Sequence, residues 1–474
     1  MRQMNKPRRQ HPMWMLYQIG KLIKSFAFPV IIFGLLLLRY DHVWAKLGIL
    51  IPISLILYEF ISVFFRWKNN TYIVIEQVIH LNEGRLNRKK RYIALRKIQH
   101  VQQQITFFHR FFKTTSLTLQ TGTSSADSAI NFEMIPLEEA RRIQALMENI
   151  DGKGGQHHEI KPVTIHYKMT WKEIIMIAFT SLYIVAILPM ILSVYLKIDN
   201  IFSIESYTNQ FVQFMTQSWL VLTIIIAIAI MLSISAGVLF TFFRVGKYQV
   251  TSDEDHIYIS KGIINTTFFT IPRNKINGVM IEKSMTRRLF RIVTVKLITV
   301  NDQLLDNTLE TDIFFPFIHE QYGKQLIEEI LPPYKVNEDM TTLPEQAYFI
   351  ELIQPSYILV IGTFLIFFFW PEFWFIPILY ALYLILKRVM KTKQQRYIWT
   401  EQLVQMQTGT FSTKIMLTKR KKIDALVIDQ SWMERKLGLA SIKITSRANP
   451  IQETVMEHVS ANDTTEFYHW FQQK

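Results

Sequence analysis

Six apolar stretches divide this chain of 474 residues, and they occur in three pairs. An α-helix needs about 20 mainly apolar residues to cross a bilayer core of roughly 30 Å, and these stretches approach or meet that length. Each pair therefore predicts a transmembrane hairpin, six spanning helices in all. The pairs are 25–38 with 47–65, 174–196 with 219–243, and 356–370 with 373–386.

Basic residues are concentrated on one side of these hairpins. Residues 1–24 contain lysines and arginines but no acidic residue, and basic residues also follow the second, fourth and sixth stretches. The whole chain has 53 Lys and Arg against 38 Asp and Glu. Because cytoplasmic loops carry an excess of Lys and Arg, both termini and the soluble segments are predicted to be cytoplasmic, in a multi-pass protein of the cell membrane.

The same succession of residues follows each hairpin. Apolar and polar residues alternate there, which indicates half-buried strands. A Lys-Ile pair then lies 13 residues after a glycine in every copy, and three equal spacings predict three copies of one module. The repeated positions are Tyr72, Gly84 and Ile98 in the first copy, Tyr248, Gly262 and Ile276 in the second, and Tyr397, Gly409 and Ile423 in the third.

Each copy continues with a basic and apolar cluster, another alternating strand and an amphipathic helical pattern. The clusters are residues 109–112, 287–290 and 435–438, and the helical patterns are 136–148, 318–331 and 464–473. A strand-rich sheet covered by one helix is the economical fold for such a module. The predicted fold class is thus an α+β membrane protein, with each hairpin followed by a β-sheet or small barrel and a C-terminal helix.

These recurring tyrosine, glycine and Lys-Ile positions, with the basic cluster and the terminal helix, resemble the bacterial pleckstrin-homology-like (PH-like), membrane-flanked domain. The threefold arrangement is similar to that of the YdbT-like membrane proteins, and the resemblance covers nearly the whole chain. It implies a bent β-sheet or small barrel capped by a helix, without known catalytic residues. It also implies a partner, because such chains can occur beside a smaller membrane protein with one similar module.

The predicted domains alternate between membrane and cytoplasm. They are a basic cytoplasmic N-terminus at 1–24, hairpins at 25–65, 174–243 and 356–386, PH-like domains at 66–150, 244–335 and 387–474, and linkers at 151–173 and 336–355. The soluble parts differ in formal charge, with +6 over 66–150, +7 over 387–474 and −2 over 244–349. We therefore expect the outer modules to contact the membrane surface and the middle module to contact a protein.

Two basic runs in the outer modules are candidate sites for anionic lipid headgroups. A lysine or arginine near a charged leaflet contributes about 1 kcal/mol to membrane attraction. The alternative is that these side chains are solvated loop charges that enforce topology. The first run is Lys89, Lys90, Arg91, Arg96 and Lys97, and the second is Lys419, Arg420, Lys421 and Lys422.

Glu59 is the acidic residue that lies well inside an apolar stretch. Carboxylates within a membrane are costly and often functional, which makes Glu59 the candidate residue of a small transporter. The alternative is a structural ion pair with Arg66 or Lys68 near the cytoplasmic headgroups.

Other chemistry has little support in the residues. Cysteine is absent, which excludes disulfides and thiolate metal sites, and His157, His158 and Glu159 are adjacent rather than spaced as ligands on one helix face. The sequence has no phosphate loop, nucleophile elbow or nucleic-acid-binding motif. We therefore predict no catalytic residue, metal site, cofactor or nucleic-acid partner, and we do not expect an enzyme.

The leading functional hypothesis is a non-enzymatic membrane scaffold or adaptor whose three modules form a cytoplasmic platform. Its expected partners are membrane lipids and a smaller membrane protein with one related module, in a homo- or hetero-oligomer. Binding or movement of anionic lipid is the second hypothesis, and a small transporter is the third. A continuous apolar groove between modules favours lipid movement, whereas exposed apolar patches favour a scaffold.

Overall fold

The computed structural model describes residues 7–39, 43–85, 87–121, 129–148, 164–180, 219–299, 313–446 and 452–473. The chain forms two compact units. The first comprises Met1–Thr164 with His256–Ile271, and the second comprises Ile165–Asp255 with Pro272–Lys474. The second predicted module therefore contributes strands to both units.

Antiparallel strands make up most of the soluble part. They are β1 Arg8–Arg9, β2 Thr71–Ile75, β3 Val78–Glu83, β4 Lys89–Ala94, β5 Ile98–Ile105, β6 Thr114–Thr121, β7 Ala129–Pro136, β8 Thr164–Lys168, β9 Gln249–Ser252, β10 His256–Lys261, β11 Thr266–Pro272, β12 Ile276–Lys283, β13 Ile292–Thr299, β14 Ile313–His319, β15 Thr341–Thr342, β16 Arg396–Trp399, β17 Leu403–Gly409, β18 Thr413–Lys419, β19 Ile423–Asp429, β20 Leu439–Ser446 and β21 Gln452–Ser460.

The α-helices range from short helices of five residues to long apolar helices of more than 20 residues. They are α1 Trp14–Arg39, α2 Val43–Asn69, α3 Phe107–Phe111, α4 Leu137–Glu148, α5 Trp171–Thr180, α6 Trp219–Val245, α7 Met285–Leu289, α8 Glu320–Ile330, α9 Glu345–Ile353, α10 Tyr357–Phe369, α11 Phe375–Gln394, α12 Trp432–Leu437 and α13 Ala461–Gln472. The amphipathic helices α4, α8 and α13 lie at the three predicted C-terminal helices.

The first unit has one core that draws on two sheets and a helix. One sheet has the order β1-β2-β3-β4, and strands of the other follow the order β7-β6-β5-β11-β10. Ile79, Leu117 and Ile130 are buried in one cluster with Ile143 of α4. Because side chains alternate along a strand, each sheet directs one face to this core.

The second unit repeats this arrangement in its C-terminal part. One sheet has the order β14-β13-β12-β18-β17-β16-β15, and a smaller sheet has the order β19-β20-β21. Tyr397, Ile423 and Ile442 are buried in one cluster with Phe467 of α13. The helix covers the sheets through its apolar face, as its spacing of apolar residues predicts.

The repeated sequence positions occupy the core and the strand ends. The buried members are Tyr72, Tyr248, Tyr397, Ile98, Ile276 and Ile423. The repeated glycines have positive φ, at 138° for Gly84, 92° for Gly262 and 130° for Gly409. A Cβ would lie 1.8 Å from the Asn87 carbonyl oxygen at Gly84, so a side chain is excluded there.

The prediction of six transmembrane helices in three hairpins is wrong. Within the described residues, two helical segments are long and apolar enough to span a membrane. They are Glu345–Phe369, which comprises α9 and α10 and has a mean hydropathy of 2.0, and Pro371–Gln394, which contains α11 and has 1.6. They include the predicted third hairpin. Most of the predicted segment 174–196 lies outside the described residues, as does the following connection.

Residues near one end of α1 and one end of α2 pack against the strands of the first module. α1 begins at Trp14, which is 4% exposed and donates its indole N–H to Glu133 at 2.6 Å. On α2, Val63 is buried in the same cluster as Met134. Other apolar side chains of the same helices are exposed, among them Phe28 at 71% and Leu57 at 60%. Hydropathy does not distinguish residues that pack on the domain, such as Val63, from residues that would face lipid.

The prediction of a separate sheet for each module is also wrong. β5 of the first predicted module pairs with β11 of the second, and β12 of the second pairs with β18 of the third. Alternation of apolar residues predicts a strand and its buried face, but it does not identify the neighbouring strand. The modules are consequently joined through their sheet edges.

Candidate interaction surfaces

β12 and β18 form the second joint, which connects the second predicted module to the third. Six residue pairs face each other across it, from Gly278 opposite Thr418 to Lys283 opposite Thr413. The Thr418 hydroxyl also donates to the Asn277 carbonyl oxygen at 2.8 Å. The joint is therefore part of a continuous antiparallel sheet.

Side chains on both strands complete this second joint. Met280, Ile298 and Met416 form a small buried apolar cluster. The Lys414 ammonium lies 3.5 Å from the Glu282 carboxylate. Because an exposed ion pair contributes at most about 1 kcal/mol, the apolar cluster stabilises the joint and the charges mainly favour one register.

Gly278 permits the close approach of these two strands. A Cβ on this residue would lie 2.8 Å from the Leu417 carbonyl oxygen and 3.3 Å from Ile298 Cδ1. The first of these distances is shorter than real Cβ contacts allow, and the neighbour is backbone. A residue without a side chain at position 278 is thus required for this close pairing of β12 with β18.

The segment after α8 also packs on the second joint. The Tyr334 hydroxyl donates to the Ile276 carbonyl oxygen at 3.0 Å, and the Lys419 ammonium lies 5.1 Å from the centre of the Tyr334 ring. Burial lowers the pKa of Lys419 and raises the pKa of Tyr334. The Gln405 amide nitrogen donates to the Asn337 carbonyl oxygen at 2.8 Å, which fixes the linker on the third module.

β5 and β11 form the first joint, which connects the first predicted module to the second. Five residue pairs face each other, from Val101 opposite Thr270 to Ile105 opposite Thr266. The Arg110 guanidinium on α3 donates to the Thr266 hydroxyl at 2.6 Å. This arginine belongs to the repeated basic and apolar cluster, so one motif of the sequence contributes directly to a joint.

Both joints have the same register relative to the repeated Lys-Ile pair. Val101 lies four residues after Lys97 and faces Thr270, which lies five residues before Lys275. In the second joint Val279 faces Leu417, again four residues after one repeated lysine and five before the next. The chain therefore uses one docking geometry twice.

The first predicted basic run lies at the surface. Its exposed members are Lys89, Lys90, Arg96 and Lys97. Arg91 is half-buried. Its guanidinium lies 2.7 Å from the Glu83 carboxylate and donates to the Ala129 carbonyl oxygen at 3.1 Å. Four of the five predicted residues are therefore exposed.

The second predicted basic run is engaged with the protein. Arg420 donates to the Trp470 carbonyl oxygen at 3.2 Å and lies 5.5 Å from the centre of its ring. The Lys422 ammonium donates to the Asn274 carbonyl oxygen at 3.5 Å. Lys421 is the exposed member of this run. The first run is consequently the better candidate for an anion.

Glu59 lies between two arginines. The Arg66 and Arg85 guanidinium groups lie 3.1 Å and 3.2 Å from its carboxylate. Arg66 is one of the two partners named by the structural alternative, and Arg85 follows strand β3 of the first module. These contacts tie α2 to the module and give the transporter hypothesis no added support.

A buried charged cluster between α9 and the third module has no signal in the sequence. Glu351 on α9, Glu434 on α12 and His458 on β21 are all buried. His458 Nδ1 lies 3.0 Å from Glu434, and its Nε2 lies 3.5 Å from Glu351. The Lys391 ammonium donates to Glu351 at 3.0 Å and also to Glu457. Sequence reasoning misses this cluster because its members come from distant segments.

The charges in this cluster determine the protonation of His458. Burial lowers its pKa, but hydrogen bonds to Glu351 and Glu434 and their negative charges outweigh burial, so the pKa is raised. For Glu434, burial raises the pKa, whereas hydrogen bonds from Ser441 and Ser431 lower it more strongly. The two carboxylates therefore stabilise the imidazolium form of His458 relative to a histidine in water.

Three groups of the cluster resemble a metal donor set. Ligand atoms of Glu351, Glu457 and His458 lie within 4.8 Å of one another. The Lys391 ammonium already contacts both carboxylates, so the protein supplies its own cation there. This arrangement is typical of a structural ion-pair network.

Repeated antiparallel sheets, followed by amphipathic helices and joined edge to edge, define a protein built from tandem PH-like modules. The bacterial PH domain family matches residues 27–150, 174–332 and 356–474, so the chain belongs to this family. The family resemblance found in the sequence is thereby confirmed.

A full-length relative is the UPF0699 transmembrane protein YdbT of Bacillus subtilis (strain 168). It is 23% identical over 491 residues, which cover 99% of this chain and 98% of the relative. No solved structure matches the chain. Together with the two apolar helices, these findings identify a membrane protein with three PH-like domains.

Proposed function

We propose that this chain is a non-enzymatic membrane scaffold whose PH-like modules hold a related membrane protein at the cytoplasmic face of the cell membrane. The observation that carries the proposal is the repeated joint, because modules of this kind bind one another through strand edges twice in the same register. Addition of a strand to a sheet edge is a general mode of protein recruitment.

Two further features support binding rather than catalysis. The carboxylates of the cluster around His458 and Lys391 are paired with these two side chains, as in a structural network. Large apolar side chains such as Phe107, Phe111 and Leu289 are exposed on α3 and α7, and exposed apolar side chains mark interaction surfaces when they form a patch. The first expected partner is a smaller membrane protein with one related module.

Affinity purification of the tagged full-length chain from membranes in mild detergent tests the scaffold. We expect a second membrane protein with a PH-like module to co-purify in a fixed ratio. A membrane protein of similar hydropathy with the same tag is the control for nonspecific recovery. Recovery of this chain without a stoichiometric partner would contradict the proposal.

Anionic-lipid binding is a second candidate, favoured by the exposed cations of the first module. Lys90 lies on β4 and Arg96 lies between β4 and β5, and both are exposed. Replacing both with alanine should lower the ratio of anionic to zwitterionic phospholipid that co-purifies with the full chain. The matched control replaces Arg288 and Arg435, two exposed arginines of the later modules. Equal lipid ratios in the two variants would exclude a site at the first module.

A further inference from the structure

β19 ends a sheet at the position where β5 and β12 make their joints. All three strands begin directly after the repeated lysine, but β19 is terminal in the order β19-β20-β21. β4 has the complementary position, since it is the first module's counterpart of β11 and β18 and is terminal in the order β1-β2-β3-β4. Among the strands that the structure describes, these two edges therefore lack the neighbour that their counterparts have.

The side chains of β19 show the difference that such a neighbour makes. Val427 and Ile428 are 41% and 39% exposed. Their counterparts on β12 are Met280 and Ile281, which are 8% and 3% exposed in the presence of β18. An exposed apolar edge strand is a ready template for pairing with another chain.

We propose that β19 of one chain pairs in antiparallel orientation with β4 of a second copy of this chain, in the register of the two internal joints. In that register the opposed residues are Leu426 with Tyr92, Val427 with Arg91, Ile428 with Lys90, and Asp429 with Lys89.

The chemistry of the two edges is complementary in this register. Asp429 opposite Lys89 repeats the arrangement of Glu282 opposite Lys414 in the second joint. Tyr92 is 61% exposed and meets an apolar side chain of β19. The alkyl stems of the lysines on β4 cover the apolar edge while their charges stay in water. A second copy therefore satisfies both the charge and the apolar requirements of β19.

This contact joins different surfaces of the two copies. Each chain offers one β19 edge and one β4 edge, so the association is head to tail and yields a row or a closed ring of chains. The inference goes beyond the proposed scaffold, because it requires no second kind of protein. It survives if affinity purification returns this chain alone.

Cysteine pairs in full-length chains test the register, because the natural chain has no cysteine. Two differently tagged chains are co-expressed, one with Ile428→Cys and the other with Lys90→Cys, and membranes are mildly oxidised. A second pair, Val427→Cys with Arg91→Cys, lies next to the first in the same register. Neighbouring pairs of an antiparallel ladder alternate between hydrogen-bonded and non-hydrogen-bonded, and the side chains are closer in the non-hydrogen-bonded pair. We expect a reduction-sensitive dimer that carries both tags from at least one pair.

The matched control is Ile428→Cys with Lys89→Cys, which moves the second cysteine to the opposite face of its strand. It should give several-fold less mixed dimer. Asp429→Lys should lower the yield of the aligned pair, and Lys89→Asp in the other chain should restore it. Equal yields from aligned and shifted pairs, absence of the mixed dimer, or a disulfide within one chain that carries both cysteines would overturn the inference.

Discussion

Gly278 shows how a single missing side chain positions two modules. Gly278→Ala places a Cβ 2.8 Å from the Leu417 carbonyl oxygen, which forces β12 and β18 apart. We expect the variant to lose about 1–3 kcal/mol of stability, measured as a lower Tm in detergent. Gly20→Ala on α1 is the control, because nothing lies within 4 Å of its Cβ position. Equal Tm losses in the two variants would contradict this role.

His458 should make the stability of the third module depend on pH. Its pKa is raised in the folded protein, so the stabilisation is fully present below the unfolded value of about 6.5 and is lost as the pH rises through the folded pKa. His458→Gln should therefore cost more stability at pH 6 than at a pH well above that range. Thermal unfolding at both pH values, with exposed His469→Gln as control, measures the difference. A pH-independent loss would show that His458 acts only through packing.

Recurrence in the sequence identifies repeated positions but not their contacts. The equal spacing of Gly84, Gly262 and Gly409 from a Lys-Ile pair predicts three copies of one module, and their positive φ gives the physical reason why glycine recurs there. The cluster of Glu351 and His458 is different, because the two residues lie far apart in the chain and their proximity arises only after folding. No local sequence pattern predicts such a pair.

The apolar side chains at the second joint stabilise the pairing of β12 with β18. Met416 is 5% exposed and packs on Met280 and Ile298. Met416→Ala should destabilise the protein by about 2–5 kcal/mol, because buried apolar area is lost and a cavity remains. Met285→Ala is the control, since that side chain is 65% exposed. Similar thermal stability of the two variants would show that the cluster does not hold the joint.

The sequence predicts the strands and terminal helices of the modules but not the joints between them. Alternating residues predict the strands of each module, and apolar spacing predicts the terminal helices α4, α8 and α13. The pairing of β5 with β11 and of β12 with β18 is not predictable from alternation, because a strand's period carries no information about its partner. Hydropathy likewise does not distinguish a residue such as Val63, which is buried beside Met134, from a residue that would face lipid.

The two joints predict that the modules depend on one another for folding. A chain that ends after Lys335 lacks β18 and exposes the apolar edge of β12. We expect this truncated chain to aggregate in size-exclusion chromatography, whereas the full chain elutes as a defined species.

A charge on the exposed edge distinguishes this cause from general misfolding. Met280→Lys should reduce aggregation of the truncated chain, because charged residues protect edge strands, but should lower the Tm of the full chain, where Met280 is buried. A variant with the same effect in both chains would contradict the edge explanation.

The first joint also has a consequence for synthesis on the ribosome. Its strands β5 and β11 are separated by about 160 residues, so roughly 8–32 s of translation pass before the second strand emerges. Throughout that interval the edge of β5 is available to any matching strand, including β11 of a chain growing on the next ribosome of the same message. Correct assembly therefore requires that β11 of the same chain is synthesised and pairs with β5 before β11 of a neighbouring nascent chain does so.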